Sequence, residues 1–228
     1  MVACSFRTFE KIAVTQELKP QQPVFDLGHR GDADYTQISK YLAMTPTQRL
    51  RHHEGWRSLL LKSTPMPNFL EDMVTRLAQA RVEFVIVGGV SAILQGAPII
   101  TSDLDICYRR TPANISRLVS ALAPLHPRPR GLPLDLPFFF DERSILLGSN
   151  FTLEIGDESL DLLCEMSAIG GYDEIVDQSE EKEVGAFQVK VLPLSLLIAT
   201  KQAAGRPKDL AMIPELKATL EVQQKNKP

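Results

Sequence analysis

The apolar positions change period several times along the chain, and each change predicts an element. From Tyr35 to Leu61 they recur at helical spacing. Thr45 and Pro46 take the N-cap and first-turn places of "TPTQRLRHHEGWRSLLL", and Leu50, Trp56, Leu59 and Leu60 fall on one face. A linker, "KSTPMPN", follows. Asn68 stands as the N-cap of "FLEDMVTRLAQA", whose Phe69, Leu70, Met73, Leu77 and Ala80 form an amphipathic stripe. "VEFVIVGG" is short, apolar and β-branched, which predicts a buried strand ending at Gly88 and Gly89. Residues 90–95 read as a short helix, Gly96-Ala97-Pro98 as a turn, "SDLDICY" as a second strand and Pro112 to Leu122 as a helix. After the irregular "HPRPRGLPLDLP", strand patterns are predicted at "PFFF", "SILLG", "FTLEIG", "SLDLLCEM" and "FQVKVLPL". Helices from Leu194 to Ala204 and from Lys208 to Val222 close the chain, parted by Gly205, Arg206 and Pro207. Residues 1–35 carry Pro20, Pro23, Gly28 and Gly31 without a sustained apolar period and predict an extended or poorly ordered arm.

The second strand poses a chemical question. Residues two apart on a strand share a face, so Asp103, Asp105 and Cys107 point one way and Leu104, Ile106 and Tyr108 the other. Two converging carboxylates repel each other, and a divalent cation such as Mg2+, bound by carboxylates together with substrate phosphates, is the usual group that offsets the repulsion. A strand end whose aspartates simply meet solvent is the alternative for "DLD" taken alone. The glycines add to the case for a site. Gly88 and Gly89 end a strand and open a helix, where backbone N–H groups can approach an anion unobstructed. Neither the Walker loop nor the dinucleotide fingerprint fits these glycines.

Composition narrows the classes. The 228 residues are 44% hydrophobic with a formal charge of -3, an ordinary globular balance without a global nucleic-acid signature. Cys4, Cys107 and Cys164 are odd in number and widely spaced, which suits free thiols in a cytoplasmic protein, and Cys107 reads as a small buried residue rather than a nucleophile. No apolar run approaches the roughly 18 residues of a membrane span, and residues 1–20 lack the order of a secretory signal. His29, His52, His53 and His126 have no metal-ligand spacing and receive no role. Arg109, Arg110, Arg128 and Arg130 form either a basic rim for a phosphate backbone or a solvated surface.

"VGG", followed after thirteen intervening residues by "DLDI", resembles the signature of the polymerase-beta-like nucleotidyltransferase superfamily, in particular its small toxin-like and antibiotic-modifying members. The resemblance extends from about Asn68 to Leu220. It implies an α+β nucleotidyltransferase fold, with a mixed, twisted sheet, flanking helices and a small C-terminal helical part closing over the nucleotide. It also implies catalytic, metal-binding carboxylates at Asp103 and Asp105 and a third on a later strand. Asp161 in "SLDLLCEM" is preferred for that place, with Glu154 in "FTLEIG" as its competitor. "ATKQAAGRPKDL" resembles the family's C-terminal segment, so Lys201, Arg206 and Asp209 join Gly88, Gly89 and Ser91 as implied nucleotide-binding residues.

The implied cofactor is Mg2+ and the implied reaction is transfer of a nucleoside monophosphate from a nucleoside triphosphate, ATP among them, to an acceptor hydroxyl. The acceptor is a transfer RNA, a protein or a small molecule, with no membrane partner. The toxin-like members of the family imply a place in a toxin-antitoxin system and an antitoxin-like partner; "HRGDADY" with "TPTQRL", outside the stretch the resemblance covers, is similar to short proteins encoded beside such enzymes. A non-catalytic binding module that keeps the fold is the rival expectation. The implied division is an arm at 1–35, a helical segment and linker at 36–66, the core at 67–192 and C-terminal helices at 193–228.

Overall fold

The structure, a computed structural model, describes residues 34–60 and 68–226, without the side chain of Leu60. The arm read over 1–35 lies outside the described residues except for its last two, and the linker lies outside except for Asn68. Asp34 belongs to the folded part. Its Oδ1 accepts from the N–H of Thr36 at 2.9 Å and caps helix α1, Tyr35–Ala43.

In chain order there follow α2 (Pro46–Leu60), α3 (Phe69–Gln79), β1 (Phe84–Val87), α4 (Gly88–Leu94), β2 (Asp103–Tyr108), α5 (Pro112–Leu122) and β3 (Arg128–Pro129). Then come α6 (Glu142–Leu147), β4 (Phe151–Ile155), β5 (Glu158–Leu163), β6 (Glu165–Met166), β7 (Gly170–Gly171) and α7 (Tyr172–Ile175). β8 (Glu180–Val184), β9 (Phe187–Val191), α8 (Leu194–Ala204) and α9 (Pro207–Lys225) complete the order. The fold is α+β. One mixed seven-stranded sheet runs β3-β4-β5-β2-β1-β9-β8, parallel at β2/β5 and β1/β9 and antiparallel elsewhere.

The register explains why the sheet has a chemical side. Leu104 lies opposite Leu160 and Ile106 opposite Leu162, and these four, fully buried, join Leu70, Leu77, Ile93, Ile115 and Leu118 of the helices in one core. Alternation then sends Asp103, Asp105 and Asp161 to the other side of the same strands.

Several expectations are corrected. "PFFF" is irregular and "SILLG" lies in α6, because Asp141 accepts from Ser144 N–H at 2.8 Å and starts a helix there. An apolar run as short as Ile145–Leu147 satisfies either period, and the cap decided it. β8, "EEKEV", was not foreseen, since a charged edge strand has no apolar run to reveal it. Asn68 stands at the N-cap of α3 in the left-handed region and makes no side-chain cap bond. In α2, Leu50 is buried but Leu59 is exposed. The inward face is polar instead, with Arg49, His53, Glu54 and Arg57 all buried.

Candidate active site

Asp103, Asp105 and Asp161 form the floor of a cleft of about 650 Å³. β2 and β5 run side by side in parallel register with Asp105 opposite Asp161, so two strands from distant parts of the chain place their carboxylates on adjacent positions of one face. Gly88, Gly89, Thr101 and Ser102 line one wall, and Lys201, Arg206, Lys208 and Asp209 line another. A hollow of about 730 Å³ beside Val119 and α6 gathers no carboxylates from separate strands.

The electrostatics show a site short of positive charge. Asp105 keeps an open edge to the cleft while its carboxyl group sits deep. Burial, reinforced by Asp161 and Asp103, pushes its pKa up to about 7 against the partial relief from Lys201 and the Gly89 N–H. Asp161 is also raised, first by burial, with Arg130 pulling the other way. Its Oδ1 has no hydrogen-bond partner among the described residues, and the Arg130 guanidinium stands 3.5 Å from it.

A cation fits this donor set: oxygen-only, carboxylate-rich, with one buried carboxylate oxygen left without a hydrogen-bond partner among the described residues. Among the described residues no three His, Cys, Asp or Glu side chains are arranged to hold a metal unaided.

Glycine is required at 88 for a specific reason. Its φ is +61°, and a Cβ there would lie 2.0 Å from Asp105 Oδ2. At Gly89 a Cβ would lie 2.5 Å from the Thr101 side chain. The pair thus admits the carboxylate and the Thr101 loop to the backbone, and the Gly89 N–H is directed to Asp105.

The cationic wall is already organised. Lys201 Nζ stands 3.0 Å from Asp209 Oδ1, and Arg206 Nε stands 2.5 Å from Oδ2. Burial alone would raise Asp209, but the hydrogen bonds and charges of Lys201 and Arg206 outweigh it and hold its pKa below the ordinary carboxylate value.

The structure brings Asp103, Asp105, Asp161, Gly88, Gly89, Lys201, Arg206 and Asp209 to one cleft. Ser91 does not line it. Fully buried, it donates its hydroxyl to Gly88 O at 2.8 Å and braces the glycine turn from behind. Glu154, opposite Ser159, does not line it either. Of the four arginines read as either a basic rim or a solvated surface, Arg109 is paired with Glu83 and Asp173. Arg110 donates to Gly148 O and Leu146 O, and Arg128 to Pro133 O and Leu136 O. Only Arg130 of these four turns toward the floor.

Sequence reasoning passed over Lys208, whose place beside Arg206 in "GRPKDL" was a usable signal, and Thr101, Ser102 and Asn150, which carried none. Cys107 is buried, its thiol pushed up to about 12 by burial first, as expected of a packing residue. No described helix is long and apolar enough to cross a membrane.

No protein-family model matches the sequence. No curated protein matches it either. Among solved structures the chain is similar to the antibiotic-resistance factor ANT(2'')-Ia in a solution structure, at 15% identity over 69% of this chain and 86% of that one, with a TM-score of 0.45. It is similar also to a crystal structure of ANT(2'')-Ia in complex with adenylyl-2''-tobramycin, at 15% identity over 68% of this chain and 87% of that one, with a TM-score of 0.44. Both are distant likenesses.

Proposed function

We propose that the protein is a Mg2+-dependent nucleotidyltransferase that moves a nucleoside monophosphate from a nucleoside triphosphate to an acceptor hydroxyl, releasing pyrophosphate. The observation that carries this reading is the convergence of Asp103, Asp105 and Asp161 from two parallel strands onto the floor of a cleft whose opposite wall is cationic. The three carboxylates would hold Mg2+, which when bound supplies charge neutralisation at the phosphates and a more acidic acceptor hydroxyl. Lys201, Arg206 and Lys208 supply positive charge along the wall where a triphosphate would lie. Asp209 orients the first two of these cations. The glycine turn keeps side chains away from the floor, so that phosphate oxygens can reach it.

ATP is the first triphosphate to test. A transfer RNA, a protein and a small molecule are the acceptor classes the reading admits, with the toxin component of a toxin-antitoxin pair as one biological setting and a cytoplasmic location. A second reading, a nucleotide-binding module without turnover, draws support from one feature: Asp209 already engages both Lys201 and Arg206.

A two-stage experiment separates them. Non-hydrolysable triphosphates with Mg2+ should raise the melting temperature of wild type and not of Asp103→Asn. Incubation with α-phosphate-labelled triphosphates and candidate acceptors should then move label onto an acceptor. Stabilisation without label transfer to any acceptor class would favour the binding module, and absence of stabilisation would remove both readings.

A further inference from the structure

We propose that His53 and Arg57 of α2 are positioning residues for the carboxylate floor: they fix the loop at 97–102 and the start of β5, and so the points at which Asp103 and Asp161 emerge. The inference rests on the metal-site reading above.

A single guanidinium nitrogen makes the link. Arg57 Nη2 donates to Ser102 O at 3.4 Å and to Glu158 Oε2 at 2.5 Å. Ser102 immediately precedes Asp103, Glu158 immediately precedes Ser159, and Asp103 and Ser159 lie opposite each other in the parallel register. Arg57 therefore ties together the entry points of the two strands that carry the site. Its side chain is 4% exposed and that of Glu158 1%. A buried ion pair holds two strands together no better than a well-packed apolar pair, and its advantage is defined geometry. Defined placement of the strand ends is what the pair supplies beyond its share of stability.

His53 secures the other side of the loop. Its Nε2 accepts from the N–H of Thr101 at 3.1 Å. On the opposite side, the Thr101 side chain fills the space that a Cβ on Gly89 would need. The loop is thus held between α2 and the glycine turn, with Thr101 and Ser102 both facing the cleft. Accepting at Nε2 requires a neutral ring with its proton on Nδ1. Burial first, and the charge of Arg57 second, keep it neutral by lowering its pKa to about 4. Nδ1 has no hydrogen-bond partner among the described residues, so the ring's polar contact goes to the loop alone.

Titration with Mn2+, followed through the electron paramagnetic resonance signal of the free ion, tests the inference on the full chain. Wild type, His53→Phe, His53→Gln and Asp103→Asn are compared, each with its melting temperature. Phe fills the space but cannot accept from Thr101, and Mn2+ affinity should fall about tenfold, the scale of a lost outer-shell contact. Gln offers an amide oxygen to the same N–H and should recover most of that affinity. A His53→Phe protein that melts lower yet binds Mn2+ like wild type overturns the positioning role and leaves the metal site standing. Wild type and Asp103→Asn with identical titrations overturn both. If His53→Phe does not fold, the ¹⁵N signal of His53 in wild type decides: a Mg2+-dependent shift that saturates with the site supports the inference, and an unmoved signal ends it.

Discussion

Asp105 and Asp209 line the same cleft and are displaced in opposite directions. Asp105 faces two other carboxylates and is pushed up to about 7 by burial and then by their charge. Asp209 is held below the ordinary value because Lys201 and Arg206 outweigh its burial. Burial acts the same way on both, and the sign of the nearest charges decides the outcome. The contrast separates an acid whose cations are supplied by the chain from acids that, in the proposed function, take their cation from outside.

The comparison breaks most visibly at Asp105. Asp105→Asn removes one like charge, so the metal-free protein should melt at an unchanged or higher temperature. Nucleotide transfer should fall roughly a thousandfold, about 4 kcal/mol of transition-state stabilisation. A clear drop in melting temperature with transfer intact would make Asp105 structural. Asp209→Ala acts in the reverse sense. It leaves Lys201, 11% exposed, without its carboxylate and should lower stability by about 3 kcal/mol in chemical denaturation. A loss under about 1 kcal/mol would class the pair with exposed ion pairs.

The pH dependence sharpens the contrast further. Between the ordinary 3.8 and about 7, the folded metal-free protein holds a proton on Asp105 that the unfolded chain has released. Its contribution to stability is therefore present at low pH, declines as pH rises through that window and is flat above it. Asp209, with its pKa lowered, contributes stability at neutral pH that is lost as pH falls below the ordinary carboxylate value. Saturating Mg2+ should abolish the first slope and leave the second, as denaturation curves at several pH values will show. The smallest effect is expected next door on the sheet: Glu154→Gln should change transfer less than about twofold and stability by less than about 0.5 kcal/mol. Loss of turnover there, with Asp161→Asn active, would move the third carboxylate to β4.

The sequence shows the floor more clearly than its supports. β2 was legible because strict alternation separates Asp103 and Asp105 from Leu104 and Ile106, and β5 for the same reason around Asp161. The inward face of α2 was not, because a search for apolar periodicity passes over a helix whose buried residues are charged. Arg49, His53 and Arg57 recur at four-residue spacing, a helical stripe written in polar letters. Ser91 illustrates another limit: its spacing from Gly88 fits a role at the cleft or behind the turn, and only the fold shows the hydroxyl pointing back at Gly88 O. Lys201, Arg206 and Asp209 were legible as a group, but that Asp209 pairs with both cations became visible only once α8 and α9 were packed together.

The outer edge of the sheet bears on how the molecule behaves in a crowd. β8 ends the sheet with Glu180, Glu181 and Glu183 exposed, and Thr47 in the first turn of α2 closes the end of the hairpin, donating to Glu183 O at 3.2 Å and accepting from Gly185 N–H at 3.1 Å. A second copy trying to extend the sheet at this edge would meet a strand of charged side chains, Lys182 paired with Glu180 and Lys190 with Glu181, and a backbone end already engaged, which is how natural sheets avoid self-assembly. The helix that steadies the floor thus also helps keep one copy from templating the next.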